Sequence, residues 1–107
     1  VDDMAAACCH LMELTEDQYW SADSDRCSHV KVGCGTDISI AELAELIAGI
    51  TGFGGTIEYD ASMPDGTPRK LLDVGRLKSL GWEAGISLED GIRGPFDWMK
   101  KHGVQVS

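Results

Sequence analysis

Met4, Ala7, Cys8, Leu11 and Met12 recur at helical spacing, and Asp2 or Asp3 can cap the helix they define, which the pattern carries to about Leu14. Residues 15–28 are polar and acidic apart from Tyr19-Trp20, and read as a loop with room for one extra helical turn. His29-Val30-Lys31-Val32 then alternates and runs into Gly33-Cys34-Gly35, which predicts a short strand ending in a turn. Ser39-Ile40-Ala41-Glu42 has the form of a capping box, Ser at the N-cap and Glu three residues on. It opens a helix with Ile40, Leu43, Ala44 and Ile47 on one face, stopped by the glycines from Gly52 onward. Thr56-Ile57-Glu58-Tyr59 reads as a second strand.

Strand, helix and strand in this order predict a βαβ unit with two short parallel strands joined by a right-handed crossover. Beyond it, residues 61–69 hold Pro64-Asp65-Gly66 and Pro68 and form a turn-rich loop. Asp73 can cap a short helix through Leu80, with Gly81 as its stop and Trp82 tucked behind. Ser87 opens a last helix with Ile92, Phe96 and Met99 inward, and Pro95 predicts a kink there because it removes a ladder donor. The expected fold class is therefore a small α/β domain, mostly helical around one βαβ unit.

Length and charge narrow the picture. With 107 residues the chain supports a single small domain, residues 1–107, with a thin core. Its formal net charge of −9 repels polyanions, so nucleic acid is excluded as a partner. No stretch approaches the roughly 20 apolar residues of a membrane span, and the acidic Val1-Asp2-Asp3-Met4 start lacks the basic region of a signal peptide. The expectation is a cytoplasmic protein without a membrane partner. Cys8, Cys9, Cys27 and Cys34 fit reduced thiols in that setting.

Gly33-Cys34-Gly35, between a strand and a helix, invites comparison with dinucleotide-binding loops. The position three residues further on, where that fingerprint needs a third glycine, is Ile38, so the segment reads as a turn. Cys8, Cys9, His10, Cys27, His29 and Cys34 lack matched zinc-ligand spacing, and the first three point in different directions around a helix. Buried small thiols and a satisfied histidine are expected instead, with no metal. No spacing gives a cysteine the basic partner a nucleophile needs.

Asp65-Gly66-Thr67-Pro68-Arg69-Lys70 is different. It follows the second predicted strand, and α/β proteins tend to bind ligands in loops beyond strand C-termini. Gly66 lets backbone amides approach an anion, and Arg69 and Lys70 are the only adjacent cations in the first 99 residues. The alternative is a solvated turn whose Arg-Lys pair offsets neighbouring acids.

The run Asp65-Gly66-Thr67-Pro68-Arg69-Lys70-Leu71-Leu72-Asp73-Val74, with Ile40-Ala41-Glu42-Leu43-Ala44, Leu80-Gly81-Trp82 and other segments in the same order, resembles the C-terminal third of the GDP-L-fucose synthase family, extended short-chain dehydrogenase/reductases that epimerise and reduce a GDP-4-keto-6-deoxy-hexose. The matching segments run from Val1-Asp2-Asp3-Met4-Ala5-Ala6-Ala7 and His10 through Ser28-His29-Val30, Val32-Gly33, Gly35 and Ile40-Ala41-Glu42-Leu43-Ala44. Asp60-Ala61-Ser62, the run Pro64 to Val74, Leu80-Gly81-Trp82 and Ile86-Ser87-Leu88-Glu89 complete the series. The stretch DGTPRKLLDV from Asp65 to Val74 is the specific part.

The resemblance implies a substrate-binding portion that helps hold a GDP-sugar. It gives Lys70 a place near the nucleotide diphosphate, where a lysine acts as a point charge, with Arg69 and Asp65 as neighbours. It also implies that the NADP loop and the catalytic residues of the full-length family lie upstream of Val1. Neither Tyr19 nor Tyr59 is followed by Lys four positions on, so no catalytic residue and no cofactor site is expected in this chain. Lys31, Cys34 and Gly94-Pro95 depart from the family pattern.

Two readings follow. The chain is the substrate-side piece of such an NADP-dependent epimerase/reductase and not catalytic alone, or it is a free-standing binding or oligomerisation module derived from one. Both expect weak GDP-sugar binding, and either self-association or docking to the absent Rossmann domain, because an apolar face would otherwise stay exposed.

Overall fold

A computed structural model describes residues 1–21 and 28–103. Among these the protein is helical: α1 (Asp2–Glu13), α2 (Glu16–Trp20), α3 (Ile40–Thr51), α4 (Gly75–Ser79) and α5 (Leu88–Lys101). Among the described residues no helix is long and apolar enough to cross a membrane. The chain divides into two compact units, Val1–Asp37 with Arg69–Gly85, and Ile38–Pro68 with Ile86–Ser107.

The first unit holds every buried apolar side chain among the described residues: Ala7, Val74, Leu77 and Leu80. Ala7 is the centre of the covered stripe of α1, while Met4 and Met12 at its edges stay exposed. Val1 is the N-cap of α1, without a side-chain cap bond, so Asp2 and Asp3 occupy its first turn, where carboxylates suit the helix dipole. Asp3 also accepts a bond from the Gly85 amide at 3.1 Å. The acidic run after α1 does contain a helical turn: Thr15 and Gln18 form a capping box that opens α2. Residues 22–27, including Cys27 and most of the rest of that expected loop, lie outside the described residues.

The short α4 is held at both ends. Asp73 Oδ1 accepts from the Gly75 amide at 2.9 Å, a turn just ahead of the helix rather than an N-cap, which is Val74. At the other end Gly81 takes φ +91°, and the amides of Gly81 and Trp82 bond the carbonyls of Lys78 and Leu77 at 2.9 and 3.3 Å. This is a Schellman stop, as the Leu80-Gly81-Trp82 spacing leads one to expect.

In the second unit α3 and α5 pack on one another. Ser39 and Glu42 make the expected capping box, and Gly52 ends α3 in the left-handed conformation at φ +74°. Ser87 caps α5 by accepting from the Asp90 amide at 3.1 Å, and the helix continues through Pro95 to Lys101. Leu43, Ala44, Ile92, Phe96 and Met99 are half-buried, the inward set the periodicity assigns; Ile40 and Ile47 are exposed.

The βαβ unit does not form: among the described residues there is no strand. Alternation survives at 29–32, where Val30 and Val32 are half-buried and Lys31 exposed, but without a paired strand. A Cβ on Gly33 would stand 3.3 Å from Leu72 Cβ, and one on Gly35 would stand 3.1 Å from a Val74 methyl, so this turn lies against 72–74. The other expected strand, 56–59, is exposed at every position and belongs to the second unit. A period of two reports which side is covered; a ladder also needs a paired neighbour, and two strands alone are marginal.

Candidate functional site: the turn before α4

The residues leading into α4 are shaped by local bonds. Asp60 accepts from both the amide and the hydroxyl of Ser62, at 2.9 and 2.5 Å, closing a tight turn and holding its carboxyl below the usual carboxylate range. Residues 61–72 are exposed throughout. Asp65 lies in the second unit, and Arg69 and Lys70 open the returning segment of the first.

Arg69 is held. Its Nε donates to Asp37 Oδ2, and its Nη2 reaches Asp37 Oδ1 at 3.4 Å, across 32 residues of chain. Hydrogen bonding from the guanidinium, followed by its charge, keeps the Asp37 carboxyl below its ordinary value, and Asp37 raises the already high value of Arg69. The two side chains remain 67% and 39% exposed, so the pair adds little to stability. Lys70 is exposed, and among the described residues neither it nor Asp65 makes a side-chain hydrogen bond or ion pair.

Asp37 is the residue that sequence reasoning misses. Its carboxylate sits between the glycine turn and the Ser39 cap, where no short-range spacing rule links it to a cation 32 positions away. Opposite charge was the one signal available, and in a chain with 18 acids that signal picks out nothing.

The other candidates resolve differently. At Gly33-Cys34-Gly35 the space a side chain would fill beside the two glycines is taken by Leu72 and Val74, so these glycines serve close backbone packing. His10 is satisfied, its Nε2 donating to the Leu80 carbonyl at 2.7 Å. The expectation of buried thiols is corrected for Cys8, Cys9 and Cys34, all exposed. On α1 the covered stripe runs through Ala7, His10 and Leu11, and the cysteines fall to its sides. A cavity of about 380 Å³ in the second unit is lined by α3, Phe53 and Ile57 and offers no charged group.

No protein-family profile matches the chain. Individual relatives do. The chain is 51% identical over 98 residues to GDP-L-fucose synthase of Escherichia coli (strain K12), covering 92% of this chain and 30% of that protein. It is 46% identical over 105 residues to putative GDP-L-fucose synthase 2 of Arabidopsis thaliana, covering 98% of this chain and 29% of that one. Among solved structures, a GDP-6-OMe-4-keto-L-xylo-heptose reductase from C. jejuni superposes with a TM-score of 0.82 at 35% identity, over 94% of this chain and 29% of its own. The chain thus spans about 30% of the length of the curated relatives it matches, their C-terminal portion. Over nearly its whole length it is a homologue of that part of the GDP-L-fucose synthases.

Proposed function

We propose that this chain is the substrate-side, GDP-sugar-binding piece of a GDP-L-fucose synthase-like epimerase/reductase, and that it performs no catalysis by itself. The observation that carries this reading is the near-complete match of the chain to part of enzymes whose names all specify GDP-linked sugars. The exposed Arg69-Lys70 pair supplies fitting chemistry: a guanidinium for directed bonds and an ammonium as a point charge on a diphosphate. Asp65, earlier along the same run, is assigned a lesser part. The NADP of such an enzyme would be held by residues other than these.

Apolar side chains left on the second unit support a covering partner, either the rest of such an enzyme or another copy: Ile47 is 40% exposed, Phe53 56% and Trp98 57%. In the chain alone this reading expects self-association by light scattering.

Calorimetric titration with GDP tests the main reading. Binding is expected with a dissociation constant of about 1 μM to 1 mM, weakened by Lys70→Ala. Equal heats for parent and variant would remove Lys70 from the site. Oxidation of NADPH by the chain alone with a GDP-keto-sugar would overturn the absence of catalysis.

A further inference from the structure

Arginine has five N–H donors, arranged as a side edge (Nε and one Nη2 hydrogen) and an end edge (one hydrogen from each Nη). Asp37 takes the side edge: Nε donates to Oδ2 and Nη2 approaches Oδ1. No other partner for the Arg69 guanidinium occurs among the described residues, and the side chain is 67% exposed. The end edge is therefore intact and turned to solvent, at a point where the next residue is an exposed lysine.

We infer that Asp37 is a positioning residue for anion binding, holding Arg69 by its side edge so that the end edge is presented to a diphosphate. This rests on the GDP-sugar reading above. A carboxylate near a diphosphate would ordinarily repel it. Here its lone pairs face the guanidinium and its charge is matched by that of Arg69, so the pair contributes direction with little net charge. Lys70 contributes the charge. An arginine without this tie would lose several rotatable bonds of freedom on binding; tied, it loses fewer.

The two alternatives for Asp37 are a structural latch between the glycine turn and the segment before α4, and a competing counter-ion that an incoming anion must displace. Calorimetry with GDP on the full chain separates them, using Asp37→Ala, Asp37→Glu, Arg69→Ala, Lys70→Ala and the Asp37→Ala/Arg69→Ala double variant. Positioning predicts that Asp37→Ala weakens GDP binding about two- to fivefold, the range of an exposed ion pair. It also predicts that this loss vanishes in the Arg69→Ala background, and that Asp37→Glu restores part of it.

Unchanged affinity with a lowered melting temperature makes Asp37 a latch only and overturns the inference. So does tighter binding by Asp37→Ala, which marks a competitor, or an equal loss in both backgrounds. Should Asp37→Ala fail to fold, the parent protein still decides through its arginine side-chain NMR signals. Positioning requires the Arg69 Nε–H resonance to stay near its free position as GDP is added while the Nη signals move; displacement of Asp37 would shift the Nε–H. If Arg69→Ala and Lys70→Ala both bind GDP as the parent does, the site assignment itself fails and the inference falls with it. A loss in those two but not in Asp37→Ala sinks the inference alone.

Discussion

His10 and Leu80 meet across 70 positions of sequence: the imidazole Nε2 donates to the Leu80 carbonyl at 2.7 Å. A carbonyl only accepts, so the ring carries a proton on Nε2. The bond satisfies one of the carbonyls that a helix end leaves open and ties α1 to the end of α4.

His10→Ala is therefore expected to lower unfolding stability by about 1–2 kcal/mol, since it strands a half-covered carbonyl. His10→Gln retains a donor and should cost less. Urea unfolding followed by circular dichroism measures both.

Gly81→Ala forces a side chain into φ +91° and should cost about 1–2 kcal/mol. Gly85→Ala, where no heavy atom lies within 4 Å of the added carbon and φ is not positive, is the control. Its stability should stay level or rise by up to about 1 kcal/mol. Equal losses at the two positions would contradict the backbone account.

Ser39→Ala removes the oxygen that accepts from the Glu42 amide at 3.1 Å. A loss of about 1 kcal/mol is expected. It should appear first as faster hydrogen exchange at Glu42, with α5 amides less affected.

The Asp37–Arg69 pair sets a pH dependence with a definite sign. The folded carboxyl is held below its ordinary value by Arg69. Its stabilisation is thus fully present above the unfolded value of about 4 and fades as pH falls through the lower, folded value. Arg69 stays protonated throughout. Relative to the parent, Asp37→Asn should lose a constant increment above about pH 5 and converge with it in stronger acid. Thermal unfolding across that range, at low salt, provides the comparison.

What could be read from the sequence is what short-range rules govern. The Ser39–Glu42 box, the Gly52 stop, the Ser87 cap and the Gly81 turn each depend on residues within a few positions, and each is found. Thr15 to Gln18 follows the same rule as Ser39 to Glu42, but an acidic run without an apolar stripe hides it. The absence of strands was not legible, because half-burial alternates at 29–32 without any ladder and 56–59 is covered on neither side. At the candidate site, Arg69 and Lys70 stand out as adjacent cations. Their surroundings do not, since the tie to Asp37 is made by tertiary structure alone.

Among the described residues, the four buried apolar side chains belong to the segments Val1–Asp37 and Arg69–Gly85. Tolerance to mutation should therefore be distributed unevenly along the chain. A saturation library scored for soluble expression should show narrow intolerant columns at Ala7, Val74, Leu77 and Leu80. At the solvent-facing polar positions of α3 and α5, away from the half-buried Leu43, Ala44, Ile92, Phe96 and Met99, it should accept a broader palette.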